Sequence, residues 1–123
     1  MVKSTYIFFD LETTNLSVLT SDIIEFGAVK VDETGVEERL QMFIKTEKQL
    51  SKFTTELTGI TQSMVDQKGV EPEEAYRKIK SFIGDSILVA HNAMFDYTHL
   101  NNAFKHHGLG TIENTIIDTM KMS

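Results

Sequence analysis

Phe8-Phe9-Asp10-Leu11-Glu12-Thr13-Thr14 is the stretch from which the fold can be read. From Tyr6 onward the chain is apolar and aromatic, then places two acids two residues apart, and closes on Thr13-Thr14-Asn15. That is the composition of a strand running into a turn. The two-residue period of a strand puts Asp10 and Glu12 on one face, with Cα atoms about 7 Å apart at ~3.3 Å per residue. Close, desolvated carboxylates repel, so either one keeps its proton or a cation lies between them. The alternative is a frayed strand end whose acids point into water.

Outward from this stretch, a second apolar run, Ile23 to Val31, is joined through Asp32-Glu33-Thr34-Gly35 to a third, Leu40 to Lys45, which predicts an antiparallel hairpin. Residues 46–70 are mixed and polar around Thr58-Gly59-Ile60-Thr61 and read as loop or short helix. Pro72 opens a helix whose apolar positions Ala75, Ile79, Phe82 and Ile83 recur at helical spacing until Gly84. Ile87 to Ala90 has the continuous apolar character of a buried strand, and Ala93 to Phe104 is helical with Gly108 beyond it. Ile116-Ile117 forms a last strand leading to Asp118-Thr119, an N-cap-like start for a helix that the sequence, ending at Ser123, does not continue. Three strands, helix, strand, helix, strand, with neither repeat nor linker, predict one α/β domain over residues 1–123, with a mixed sheet and helices against it.

A third acid bears on the pair in the first strand. Asp96 lies on the apolar stripe of the second helix, with Ala93, Tyr97, Leu100, Ala103 and Phe104. Sites in open α/β sheets gather at the carboxyl ends of strands, where Asp10, Glu12 and Asp96 could converge. The alternative is that Asp96 only complements the dipole at a helix N-terminus. With 123 residues, 41% of them hydrophobic, the chain can bury a core without disulfides, and it has no cysteine with which to make them. Any metal must then be held by carboxylate or histidine, and hard oxygen ligands favour magnesium or manganese. The net charge of −6 excludes a broad electrostatic nucleic-acid binder, but not an enzyme that meets nucleic acid through cations at one acidic site. Met1 to Tyr6 carries no signal-peptide pattern, so a cytoplasmic protein without membrane association is expected.

Together these residues resemble a known family. Phe9-Asp10-Leu11-Glu12-Thr13-Thr14 resembles the first motif of the DEDD (DnaQ-like) 3′→5′ exonucleases, and His91-Asn92-Ala93-Met94-Phe95-Asp96 resembles the second. Leu57-Thr58-Gly59-Ile60-Thr61 and Ile117-Asp118-Thr119 also match, and the likeness is strongest to the proofreading exonuclease domain of PolC-type bacterial DNA polymerase III. The resemblance implies a ribonuclease-H-like sheet of about five strands, here without its C-terminal helices. It also implies two Mg²⁺ or Mn²⁺ ions held by Asp10, Glu12 and Asp96, hydrolysing phosphodiester bonds at the 3′ end of single-stranded DNA, with RNA equally open. Thr13 and Thr14 would lie near the terminal 3′-hydroxyl and Leu57 and Ile60 against the terminal base, though all four also suit turn or core positions. A replicative polymerase is the implied partner.

The family's third motif, which brings a histidine or tyrosine and a fourth aspartate, has no counterpart before Ser123. His91 and Asp96 share its His-x-x-x-x-Asp spacing, but Asn92, Phe95 and the preceding strand assign them to the second motif, leaving His91 a structural hydrogen bond. His99, His106 and His107 are poor bases by position. The expectation is a domain incomplete at its C-terminal end, with no general base, weak or inactive alone, and prone to self-association through uncovered sheet. Glu25 and Asp118 read as structural, the first satisfied by a strand neighbour and the second as a helix cap. Two rivals remain. Asp10-x-Glu12 superficially resembles the nucleophile loop of haloacid-dehalogenase-type phosphatases, although that loop normally carries a second Asp. A non-catalytic nucleic-acid-binding or interaction module would retain the nuclease fold without its chemistry.

Overall fold

The computed structural model describes residues 4–15 and 21–121, so the readings that touch Met1 to Lys3 and Ser123 lie outside it. The strands are β1 (Tyr6–Thr13), β2 (Ile23–Val31), β3 (Glu37–Phe43), β4 (Ile87–Ala90) and β5 (Ile116–Asp118). The helices are α1 (Lys52–Thr58), α2 (Gln62–Lys68), α3 (Pro72–Ile83) and α4 (Ala93–His106), and a short 3₁₀ turn follows at Thr119–Lys121. The sheet runs β3-β2-β1-β4-β5. Its first three strands form an antiparallel meander, while β1, β4 and β5 are mutually parallel. This is the expected mixed five-stranded sheet of the ribonuclease-H-like type.

Alternation along β1 decides which face is core. Ile7, Phe9 and Leu11 are buried, while Tyr6, Phe8 and Asp10 are exposed on the other side. The buried set meets Phe26, Ala28 and Met42 from the meander, Leu88 and Ala90 from β4, Ala75, Tyr76, Ile79 and Ile83 from α3, and Ala93, Leu100 and Phe104 from α4. Both longer helices thus cover one face of the sheet. Pro72 stands in the first turn of α3, where its missing N–H costs nothing, and Glu73 and Glu74 complement the helix dipole there.

Residues 46–70 resolve into two short helices with their own caps. Ser51 accepts from the Thr54 amide, and Gly59 ends α1 with φ 79°, a conformation costly for any side chain. Thr61 caps α2 through the Met64 amide. Ile60 and Val65 pack against Ile24, with Phe43 and Leu50 alongside, as a second small core. That core exists because of a bulge. Glu12 pairs with Glu25 but Thr13 pairs with Ile23, which makes Ile24 an extra residue on β2. Ile23 and Ile24 are consequently both buried, one in each cluster.

Gly69, which follows α2, is the tightest approach of backbone to backbone. A Cβ there would lie 2.3 Å from the Val65 carbonyl oxygen and 2.7 Å from Lys45 Cγ. Gly69→Ala is therefore expected to lower stability by about 1–3 kcal/mol, read as a lower urea midpoint at unchanged slope. An unchanged midpoint would mean that the Lys45–Gly69 crossing is looser than its geometry.

Candidate active site

The carboxyl ends of β1, β4 and β5 lie on one edge of the sheet, because the three strands are parallel neighbours. Each delivers an acid or the start of an acid-bearing element. β1 ends in Asp10 and Glu12, β4 runs through His91 and Asn92 into α4 with Asp96 in its first turn, and β5 ends in Asp118.

Asp96 carries the electrostatic tension of the site. It is 3% exposed, and its Oδ2 has no hydrogen-bond partner. Burial raises its pKa to about 7, and Asp10, Glu12 and Asp118 push in the same direction. Glu12 is raised as well, first by burial, then by Asp10 and by Glu25 opposite it on β2. Asp96 thus lies in the electrostatic reach of Asp10, Glu12 and Asp118, and Glu12 in that of Asp10. Asp10 and Glu12 share a face as expected, but it is the open face of the sheet. Desolvation bears hardest on the helix acid rather than on the strand pair, because the strand face beside them is uncovered.

The remaining predicted residues separate by environment. Thr13 Oγ1 donates to the Asn15 carbonyl, while Thr14 is buried, its hydroxyl accepting from the Asp22 amide at 2.9 Å. Leu57 is 67% exposed, as is Phe53 one turn earlier on α1. Ile60, at 3%, is a core residue with no face to offer a base, which corrects its placement in a binding surface. Glu25 is held by Gln41 at 2.8 Å and His91 Nδ1 lies 3.3 Å from Thr119 Oγ1. The part-buried pair of Ser21 and His99, at 2.6 Å, gives no signal in sequence, since helical spacing alone does not reveal a partner 78 residues away. It ties the segment leading into β2 to α4. Phe53 also escapes the sequence reading, because an exposed aromatic on a seven-residue helix has too short a pattern to mark it.

Among the described residues no three His, Cys, Asp or Glu side chains stand as a ready cage for one ion. The donor set nevertheless fits: hard carboxylate oxygens, one buried and without a hydrogen bond, in a field that disfavours their joint ionisation. Among the described residues no helix is long and apolar enough to cross a membrane.

Comparison with known proteins settles the family. The exonuclease family model RNase_T matches residues 7–123. This chain belongs to the RNase_T exonuclease family. Within curated relatives, it is 40% identical over 122 residues to the PolC-type DNA polymerase III of Halalkalibacterium halodurans, covering 99% of this chain and 8% of that protein. The same enzyme type from Streptococcus mutans is 40% identical over 124 residues, covering 100% and 8%. The RNase_T chain thus spans under a tenth of the length of these polymerases. Among solved structures, apo exonuclease I superposes with TM-score 0.88 at 20% identity, over 97% of this chain and 30% of that one. Escherichia coli exonuclease I in complex with a dT13 oligonucleotide gives 0.83 at 20% identity, over 94% and 28%. At that identity the likeness concerns the fold, and it bears out the ribonuclease-H-like sheet.

The buried acid has a measurable signature. A carboxyl whose folded pKa is raised to about 7 contributes stability that is fully present below its unfolded value near ~4 and is lost as pH rises through about 7. Asp96→Asn, neutral at every pH, should stabilise the metal-free chain at pH 8 by on the order of 1–2 kcal/mol and give no gain at pH 4. Thermal melts of both proteins across this range check it, and a gain independent of pH would remove ionisation as the cause.

Proposed function

We propose that this exonuclease-family domain removes nucleotides from the 3′ end of single-stranded DNA, using divalent cations held by Asp10, Glu12 and Asp96. The observation that carries this reading is the buried, unpartnered oxygen of Asp96 in the field of three further carboxylates. A fold that only needed to be stable would replace such a group with an apolar one. When bound, Mg²⁺ or Mn²⁺ would supply an activated water and stabilise the leaving 3′ oxygen.

The chain's own residues do the positioning. Asp10 and Glu12 face outward, and Asp10 lines a groove of about 310 Å³ with Phe8, Gly27, Val29, Val89 and His91. Thr54 Oγ1 donates to the Thr14 carbonyl at 2.8 Å, which fastens α1, with its exposed Leu57, to the turn after β1. Leu57 would lie against the terminal base, where apolar contact tolerates any sequence, and the backbone at Thr13 and Thr14 would receive the 3′-hydroxyl. No general base is proposed among the described histidines: His91 and His99 are engaged in hydrogen bonds, and His106 and His107 lie at the C-terminal end of α4, away from Asp96 in its first turn. The chain alone is accordingly expected to be slow, by the ~10²–10⁴ that such a base contributes. A PolC-type polymerase is the context suggested by the relatives, in the cytoplasm. The outward Tyr6 and Phe8 mark the sheet face through which copies of the chain would associate.

The test is a 5′-labelled single-stranded oligonucleotide incubated with Mn²⁺ or Mg²⁺. Slow shortening from the 3′ end is expected, reduced at least ~10²-fold by Asp10→Ala. DNA binding that is equal with and without metal, and no cleavage under either ion, would favour a non-catalytic binding module instead.

The corrected role of Ile60 yields a second contrast. Leu57→Ala should weaken binding of a single-stranded oligonucleotide about tenfold without moving the melting temperature, since base contacts of this kind are worth ~1–3 kcal/mol. Ile60→Ala should instead cost about 2–5 kcal/mol of stability. Fluorescence anisotropy and thermal melts on the two variants separate the roles.

A further inference from the structure

β4 does not pass into α4 by a relaxed turn. Asn92, the last residue before the helix, has φ 64° and ψ 53°, and among the described residues it is the only one other than glycine with positive φ. Its side chain makes no capping bond, although its carbonyl already accepts from the Phe95 and Asp96 amides that start the helix. A left-handed, uncapped residue is a strained way to begin a helix, and something outside the segment must hold it.

The neighbouring strand supplies the hold. Asp118 pairs with Ala90 in the β4–β5 ladder, so its side chain stands beside the point where β4 ends. Its Oδ1 accepts from the Asn92 amide at 3.1 Å and from the Met120 amide at 3.0 Å. The next residue reinforces the contact, Thr119 Oγ1 lying 3.5 Å from the Ala90 carbonyl and 3.3 Å from His91 Nδ1. One carboxylate oxygen therefore bridges the kink before α4 and the turn after β5, and Asp96 lies four residues along from the amide it grips. The charge of Asp118 adds repulsion to the acid cluster, so what it contributes at this point is the acceptor oxygen shared by the two amides.

We propose that Asp118 is a positioning residue, whose carboxylate clamps the left-handed Asn92 and thereby aims Asp96 at the cation site of Asp10 and Glu12. This rests on the reading of that acid cluster given above. Asp118 acts through hydrogen bonding, not through its charge, and it works on the first turn of α4 rather than on the fold as a whole.

The experiment compares Asp118→Ala, Asp118→Asn and the double variant Asn92→Gly with Asp118→Ala. Mn²⁺ affinity is measured by calorimetry on the purified chain, and amide exchange at residues 92–96 by NMR. Asp118→Ala should lose about 10- to 100-fold in Mn²⁺ affinity, as orienting partners of metal ligands do, and should expose the Asn92 amide to exchange while sheet amides stay protected. Asp118→Asn keeps an acceptor oxygen and should stay within about threefold of the parent chain, by the same reasoning that the bond and not the charge matters. Glycine adopts positive φ freely, so Asn92→Gly should restore most of what Asp118→Ala loses.

Equal losses in Asp118→Asn and Asp118→Ala would overturn the clamp in favour of charge, and so would unaltered exchange at Asn92 in Asp118→Ala. If Asp118→Ala does not fold, recovery of the fold by Asn92→Gly supports the proposal and no recovery overturns it. Should the parent chain take up no Mn²⁺, the metal reading of the acid cluster fails, and the exchange pattern at residues 92–96 still decides whether Asp118 holds the kink.

Discussion

A buried carboxyl group with one oxygen left without a hydrogen bond is the constraint around which this domain is arranged. Asp96 could relieve its desolvation by turning outward, as an acid in the first turn of a helix ordinarily does, where the dipole and solvent both favour it. It is kept inward by what surrounds it. Ala93 and Leu100 lie on the same buried side of α4, and both belong to the core that covers β1 and β4. Rotating the helix to free Asp96 would expose those side chains, at roughly 25 cal/mol for each Å² of apolar surface. The hydrophobic core thus holds an unfavourable electrostatic arrangement in place, as is characteristic of sites whose favourable state includes a ligand.

The parallel pairing of β1, β4 and β5 is what lets this tension be shared. Parallel strands bring their carboxyl ends to one edge, so acids separated by more than a hundred residues of sequence come into one field. The antiparallel meander on the other side has a different task. Its bulge opposite Glu12 breaks the ladder one residue past the acid, lets Ile24 turn into the second small core, and thereby anchors α1 and α2 beside the site. The link from Thr54 to the Thr14 carbonyl completes that connection, so α1 and the acids of β1 share one support.

Much of this was legible in the residues themselves, and the parts that were not have physical reasons. Alternation in Tyr6 to Glu12 and the 3.6-residue pattern from Ala75 to Ile83 identified β1 and α3, because each element has one dry and one wet side. The two short helices between Lys52 and Lys68 read only as loop or short helix, since seven-residue helices held by caps have almost no period to detect. Leu57 and Ile60 look equivalent in sequence. They part company only because Gly59 reverses the chain between them, sending one to solvent and the other inward. Asp118 was recognisable as a cap, and it does accept from Met120, but its second bond to Asn92 spans 26 residues and depends on β5 lying beside β4. Pairing between strands is a tertiary fact that local pattern does not encode.

The charge balance links these observations to the family's chemistry. A chain of net charge −6 is repelled by a polyanion over most of its surface, and the acid cluster makes the repulsion worst where a nucleic acid would have to react. Cations bound at that point reverse the sign locally and leave the rest of the surface unfavourable. Such a protein gains little from grasping the backbone along its length, and on the proposed function its affinity would come from the cation site and from apolar contact of the kind an exposed Leu57 would offer. A distribution of this kind favours a free strand end, which presents one phosphate and an unstacked base together, over the interior of a duplex, where the bases are stacked and the charge is continuous.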